Sequence, residues 1–385
     1  PKWIESGLLR KWKLHCDKSH QRRGQRCHIS PAARYPPPVK PEYLVDTWLG
    51  YITLAQTLAP ADVDYVTLSY VWGPVQPYTT LKKNLHMLQT PGSLANPLVL
   101  SKLANTVKDA IALSALPKER YLWIDTFCIV QDDDNMRHRQ INHMSSIFAN
   151  SHLTIVAEDG DNANYGLRGL QGVSKPREFK QDLHRLTSQV KLLARSGSYD
   201  QPSVWSKRGW TFQEELFSPR KLRFYNQVAR WECPHSFWSE YNWQSVSQGG
   251  TISSAIPGTD EPESIEVFSV PFASLSGYLK LLGRYNDRDL SYQKDSLFAF
   301  AGITTALSRV FPGGFISGIP QMFFDIALLW QPIGDAKRRT PNRTSGSKSL
   351  LPSWSWAGWQ CKVDYRSCDP AFSYFKSSKF GEEAI

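Results

Sequence analysis

Long apolar stretches are missing from this sequence. Across 385 residues no run approaches the roughly 18 residues that a membrane-crossing helix needs, and the N-terminus shows no basic-then-apolar leader. The chain therefore reads as soluble and cytoplasmic, with no membrane partner. Cysteine is sparse too: six, at positions 16, 27, 128, 233, 361 and 368, too scattered for a disulfide scaffold, so free thiols are expected. Also absent are a phosphate-cradling Gly-Lys loop, a Gly-x-Gly-x-x-Gly fingerprint, a His-Glu-x-x-His pair and any internal repeat. Their absence sets aside P-loop enzymes, conventional dehydrogenases, zinc proteases and repeat arrays.

What is abundant is aromatic and basic. Aromatics make up 12% of the chain, with 14 Trp beside 25 Pro, which points to a globular protein rich in irregular connections. Lys and Arg number 45 against 35 acids, a net charge of +10. Much of the excess falls in Arg10 to Arg26 and Asp335 to Lys348. Such local clusters read as solvated loops, so a nucleic-acid partner is not expected, while an anionic small substrate is permitted.

The order of elements predicts an α/β core. "YVTLSYVWG" from Tyr65 reads as a buried strand stopped by a turn, and Leu103, Val107 and Ile111 place a helix over 102–116. "RYLWIDTFCIVQDDD" reads as a second strand of the continuous apolar kind found in parallel sheets. Asp133 or Asp134 can cap the next helix, "HLTIVAE" gives a third strand, a helix starts near Trp210, and "KLRFY" gives a fourth strand. The expected fold is an open parallel sheet flanked by helices, of flavodoxin-like type, spanning residues 61–235. An N-terminal arm (1–60), including a proline-rich strap, packs on it. A mixed α+β extension (236–385) follows, with helices at 270–284 and 295–308, the second capped by Asp295. The alternation of Trp354 and Trp356 in "LPSWSWAGWQCKV" suits a strand with one buried face.

In such sheets ligands collect beyond the carboxyl ends of the strands. Ser69, Tyr70 and Trp72, then Asp125 and Gln131, then the segment "RGWTFQEEL" with Arg208, Trp210, Gln213 and Glu214, all lie at or after such ends. Glu214 is either a helix-start acid or buried ion-pair partner, or a carboxylate held against aromatic walls, where lost hydration raises its pKa and prepares it for catalysis. Arg208 is placed either to reach a phosphate or to sit on the surface at a helix start.

Three motifs, "YVTLSYVWG", "YLWIDTFCIVQDD" and "RGWTFQEELFSPRKLRF", resemble those of fungal heterokaryon-incompatibility (HET) domain proteins in the same order, and "LRKWKLHCDKSH", "YNDRDLSYQKDSLFAFAGI" and "LPSWSWAGW" extend the resemblance over nearly the whole chain. HET domains are in turn distantly similar to TIR domains. That resemblance implies a TIR-like core in which Glu214 takes the place of the glutamate that enzymatic TIR domains use to cleave NAD, with Trp210 in the place of their Trp and Thr211 in that of their Cys. It implies NAD as a possible substrate rather than a required cofactor, a possible homo-oligomer, and cell death or growth arrest as the outcome. The sequence departs from the HET pattern at Gln140, where an acid is frequent, at Phe148, commonly Tyr, and at Pro74, where an acid often follows Trp-Gly. Two other functions stay open: an enzyme of specialised metabolism cyclising or isomerising a small organic substrate, and a non-catalytic self-associating module.

Two further constellations compete for chemistry. Cys16, His20, Cys27 and His28 supply four zinc-type ligands, but the adjacent Cys27 and His28 cannot easily face one ion, so no metal is expected. Cys128 lies inside an apolar run, where a buried, inert thiol is the ordinary outcome.

Overall fold

The computed structural model describes residues 2–5, 7–22, 39–58, 64–74, 76–115, 119–178, 181–185, 187, 191–195, 202–240, 267–268, 270–340 and 351–371. Cys27, His28, the prolines of 31–38, the whole polar stretch 245–264 and most of the basic stretch 335–348 lie outside these residues.

Helix α1 (Leu8–Arg22) is followed by the hairpin of β1 (Tyr43–Asp46) and β2 (Tyr51–Leu54), then by β3 (Tyr65–Ser69). Helices α2 (Lys82–Leu88), α3 (Pro97–Leu100) and α4 (Asn105–Ala115) lead to β4 (Tyr121–Trp123). The helical turn α5 (Asp125–Cys128) and helices α6 (Asp134–Asn142) and α7 (Met144–Ala149) precede β5 (Leu153–Ala157). A separate hairpin, β6 (Gln181–Arg185) with β7 (Lys191–Arg195), comes before α8 (Val204–Lys207) and α9 (Gly209–Phe217). Strands β8 (Lys221–Tyr225), β9 (Val228–Cys233) and β10 (Ser236–Ser239) form a meander. Beyond it lie α10 (Leu275–Tyr285), α11 (Ala301–Leu307), the ribbon β11 (Phe315–Ile316) with β12 (Ile319–Pro320), α12 (Phe324–Ala327), and the pair β13 (Pro332–Arg338) with β14 (Trp359–Val363).

The main sheet has eight strands in the order β10-β9-β8-β5-β3-β4-β1-β2. Its four inner strands are mutually parallel, and β3 and β5 are buried along their whole length, as continuous apolar strands covered on both faces should be. Taken in chain order these four run 2-1-3-4, the order of flavodoxin-like sheets. The whole sheet is mixed rather than purely parallel, which corrects the sequence expectation. The β8–β9 link consists of Asn226 and Gln227, both left-handed at φ 52° and 57°, a two-residue turn that can join only antiparallel strands. Asp159 holds that turn by accepting both backbone amides, at 2.6 and 2.7 Å. At the other edge β1 and β2, from the segment read as an arm, pair antiparallel with each other and β1 with β4.

Three other expectations need correction. The second strand stops at Trp123, because the Asp125 carboxylate accepts the Thr126 amide (2.7 Å) and the Cys128 amide bonds back to Ile124 (2.7 Å), winding the chain into α5. Asp295 caps no helix: residues 293–296 and 298–300 form 3-10 turns and α11 begins only at Ala301. Trp354 and Trp356 do not share a strand. Ser355 caps a 3-10 turn that buries Trp356, Trp354 stays 42% exposed, and the strand starts at Trp359. The Asp133 cap is as expected, its carboxylate accepting the Met136 amide at 3.0 Å. One hydrophobic cluster runs through the molecule from Ile4 to Cys368, so the first and last described segments pack on the same core.

Candidate functional site

Ser69 is the last residue of β3, and β3 lies between β4 and β5, where the 2-1-3-4 order reverses direction. This is the switch point at which open α/β sheets bind ligands. Helix α9 crosses to it. Its first amide, Gly209 N, donates to the Asp289 carbonyl (2.7 Å), and the Thr211 hydroxyl donates to the carbonyls of Trp205 and Arg208 (2.7 and 2.8 Å). Phe212, Leu216 and Phe217 bury one side of the helix, Phe212 against Tyr285 and Phe300. At its end the Ser218 hydroxyl donates to the Glu214 carbonyl (2.5 Å) and bonds Thr154 Oγ1 (2.7 Å), which in turn bonds Thr67 Oγ1 (2.7 Å). A buried line of hydroxyls thus pins the backbone of Glu214 to the two central strands.

The adjacent glutamates of α9 face opposite electrostatic surroundings. Glu215 lies between Arg223 (2.9 Å) and Arg288 (3.6 Å). Against the cost of burial these guanidiniums hold its pKa down at about 2. Glu214 is buried and forms no salt bridge among the described residues. Its Oε2 accepts the Ser69 hydroxyl at 2.5 Å. Burial pushes its pKa up to about 7, the Ser69 hydrogen bond and the Arg208 charge opposing the rise and the Asp125 charge adding to it.

A second raised carboxyl lies next to the first. Asp125 Oδ2 accepts the Trp72 indole N–H (2.8 Å), and Oδ1 accepts the Thr126 amide. Burial lifts its pKa to about 6 against the Arg208 charge and these hydrogen bonds. The Tyr70 hydroxyl lies between Asp125 and Thr126 Oγ1 (3.1 Å), and desolvation holds its pKa well above the usual value. Arg208, partly exposed, is fixed at one end by donating Nη1 to the Tyr70 carbonyl (2.8 Å). Gln131 spends its amide on the carbonyls of Asp125 and Ile129 (3.0 and 3.3 Å), bracing the loop.

Ser69, Tyr70, Trp72, Asp125, Gln131, Arg208 and Glu214 are therefore gathered at one end of the sheet. Two sequence candidates have other partners. The Trp210 side chain hydrogen-bonds Asp295. Gln213 is buried beside Gly302, and its Nε2 has no hydrogen-bond partner among the described residues.

Sequence reasoning missed Trp205, whose Nε1 donates to Ser69 Oγ at 2.8 Å, and the ion cluster beneath it. Arg223 stacks on the Trp205 ring (5.1 Å) while bonding Glu158 (2.6 Å), Glu215 and Glu232 (3.0 Å). A tryptophan inside the polar run "YDQPSVWSKR" was the available signal, since a buried indole needs an acceptor for its N–H.

Cys128 is buried, its thiol pushed up to about 12, and matches the inert reading. Among the described residues no group of three or more His, Cys, Asp or Glu is placed to hold a metal. No helix among them is long and apolar enough to cross a membrane. Two clefts, of about 330 and 460 Å³, lie elsewhere, one at Trp48, Leu94 and Leu103, the other at Glu42, Arg139 and Gln140.

No curated protein and no solved structure matches the chain. The family model described as Heterokaryon incompatibility protein (HET) matches residues 65–214, less than half of the chain, opening on the first residue of β3 and closing on Glu214 itself.

Proposed function

We propose that this protein is a HET-type enzyme with a TIR-like site that cleaves the N-glycosidic bond of NAD or a related nucleotide, in the setting of fungal incompatibility and cell death. The observation that carries the reading is the Glu214 carboxyl: buried, free of any salt bridge among the described residues, held by Ser69 at the switch point, with a pKa near 7. When the bond between the nicotinamide nitrogen and the ribose breaks, its electron pair leaves with nicotinamide, which departs neutral. The positive charge left on the ribose is stabilised by the ionised Glu214. Water then attacks that carbon and passes its proton to Glu214, a base whose pKa suits neutral solution. The part of the Arg208 guanidinium not held by Tyr70 is available to the diphosphate.

The test is to incubate the purified protein with NAD and follow nicotinamide release from wild type and Glu214→Gln. A loss of about 100-fold or more in the variant is expected. Equal release would remove Glu214 from the mechanism. Absence of turnover, together with concentration-dependent assembly in light scattering, would favour the self-associating module.

A further inference from the structure

The Ser69 hydroxyl has one proton and two lone pairs, so what it does for Glu214 depends on what else it bonds. Its second partner is Trp205. An indole N–H only donates, so Ser69 Oγ accepts it and cannot spend its own proton there. We propose that Trp205 is a positioning residue for the candidate catalytic carboxyl: by occupying a lone pair of Ser69 Oγ it directs the Ser69 proton onto Glu214 Oε2.

This inference rests on the proposed function only for its catalytic meaning, because the chain Trp205 to Ser69 to Glu214 is geometric. Trp205 is fully buried, packs with Val71 and Val156, and is clamped from outside. Ser203 caps α8 through the Ser206 amide (3.0 Å) and donates to Glu158 (3.0 Å). Glu158 fixes Arg223, and Arg223 covers the indole face. The indole is therefore held by the sheet, the helix cap and the ion cluster together, and its N–H direction is set before any substrate arrives.

The direction matters because a hydroxyl that donates to a carboxylate favours the ionised form. With the Trp205 donor gone, the Ser69 oxygen is free to accept a proton from a neutral Glu214, and the preference for the anion weakens. The other charged groups acting on Glu214 are Arg208 at the head of α9 and Asp125 beyond β4. On the far side of α9, Arg223 and Arg288 are engaged by Glu215, and no titratable residue stands in α7, which packs on the helix.

The test follows the Glu214 carboxyl by carbon NMR in protein labelled at glutamate, the resonance being assigned by its loss in Glu214→Gln. Trp205→Phe, which keeps a ring in the cavity, is expected to raise the midpoint by roughly 0.5 to 1 pH unit, and Ser69→Ala to raise it further. In the Ser69→Ala background, Trp205→Phe is expected to add nothing. In unaltered protein the Trp205 indole N–H resonance is expected to titrate with the Glu214 midpoint and to lose that response in Ser69→Ala. An unmoved midpoint in Trp205→Phe, or an equal shift with Ser69 absent, would overturn the proposal. The NMR midpoints decide this whether or not NAD is cleaved. A protein that shows the expected titrations without nicotinamide release would overturn the proposed function alone.

Discussion

Replacing Glu214 by Gln preserves the shape of the side chain and its acceptor for Ser69 but removes the ionisation. In the folded protein this carboxyl has a pKa of about 7 against an ordinary value of 4.5. The folded state thus binds the proton more tightly than the unfolded chain. Stability from this group is fully present below about pH 4.5 and is lost as pH rises through about 7. At about 1.4 kcal/mol per pH unit, the gap amounts to about 3 kcal/mol in all, most of which disappears between pH 5 and pH 8. Glu214→Gln does not suffer that loss. Urea unfolding of both proteins at the two pH values is expected to show the variant gaining about 2 to 3 kcal/mol on wild type from pH 5 to pH 8. A constant difference would mean that Glu214 ionises in the fold as it does in the open chain, and the reasoning from burial would fail.

Glu215 should behave in the opposite sense. Its pKa of about 2 gives stability that is present above pH 4.5 and fades as pH falls towards 2, so Glu215→Gln should cost about 3 kcal/mol at pH 7 and progressively less in acid unfolding measurements. Arg223→Ala takes the shared guanidinium away from the buried Glu158 and Glu232 and the half-buried Glu215, and urea unfolding at pH 7 should register a loss of about 3 to 5 kcal/mol. Gly73 has φ +83°, and a Cβ there would meet the backbone of Asn162 at 2.9 Å, so Gly73→Ala should cost about 1 to 3 kcal/mol in the same assay. Cys128 should resist maleimide in the native state and react on unfolding, which mass spectrometry of digests would read.

The inner sheet was legible because β3 and β5 are buried strands dominated by apolar residues, because Leu222, Phe224 and Tyr225 mark β8, and because the Asp133 cap announces α6. The edges were not. The β8–β9 turn is Asn-Gln rather than Asn-Gly, and its left-handed second residue is held by Asp159, far away in sequence. At the site, the residue pattern placed Glu214 at the end of the sheet, but only the resemblance singled it out from its neighbour Glu215. What separates them is the reach of Arg223 and Arg288, fixed by strands and helices from distant parts of the chain. Trp205 was hidden for the same reason: its acceptor, Ser69, lies far upstream.

The stitching of α9 to the segment around Asp289 bears on how this protein can be dissected. Arg208 and Asp289 form a β-bridge in which the Gly209 amide donates to the Asp289 carbonyl and the Asp289 amide to the Lys207 carbonyl, and Gly209 leaves no room for a side chain beside Leu290. A fragment cut to the family-matched span would sever α9 inside its final turn and bare Phe212, which packs against Tyr285 and Phe300. Grafting the HET segment into another host therefore means carrying the distal helices along with it, since they set the seat of the acid.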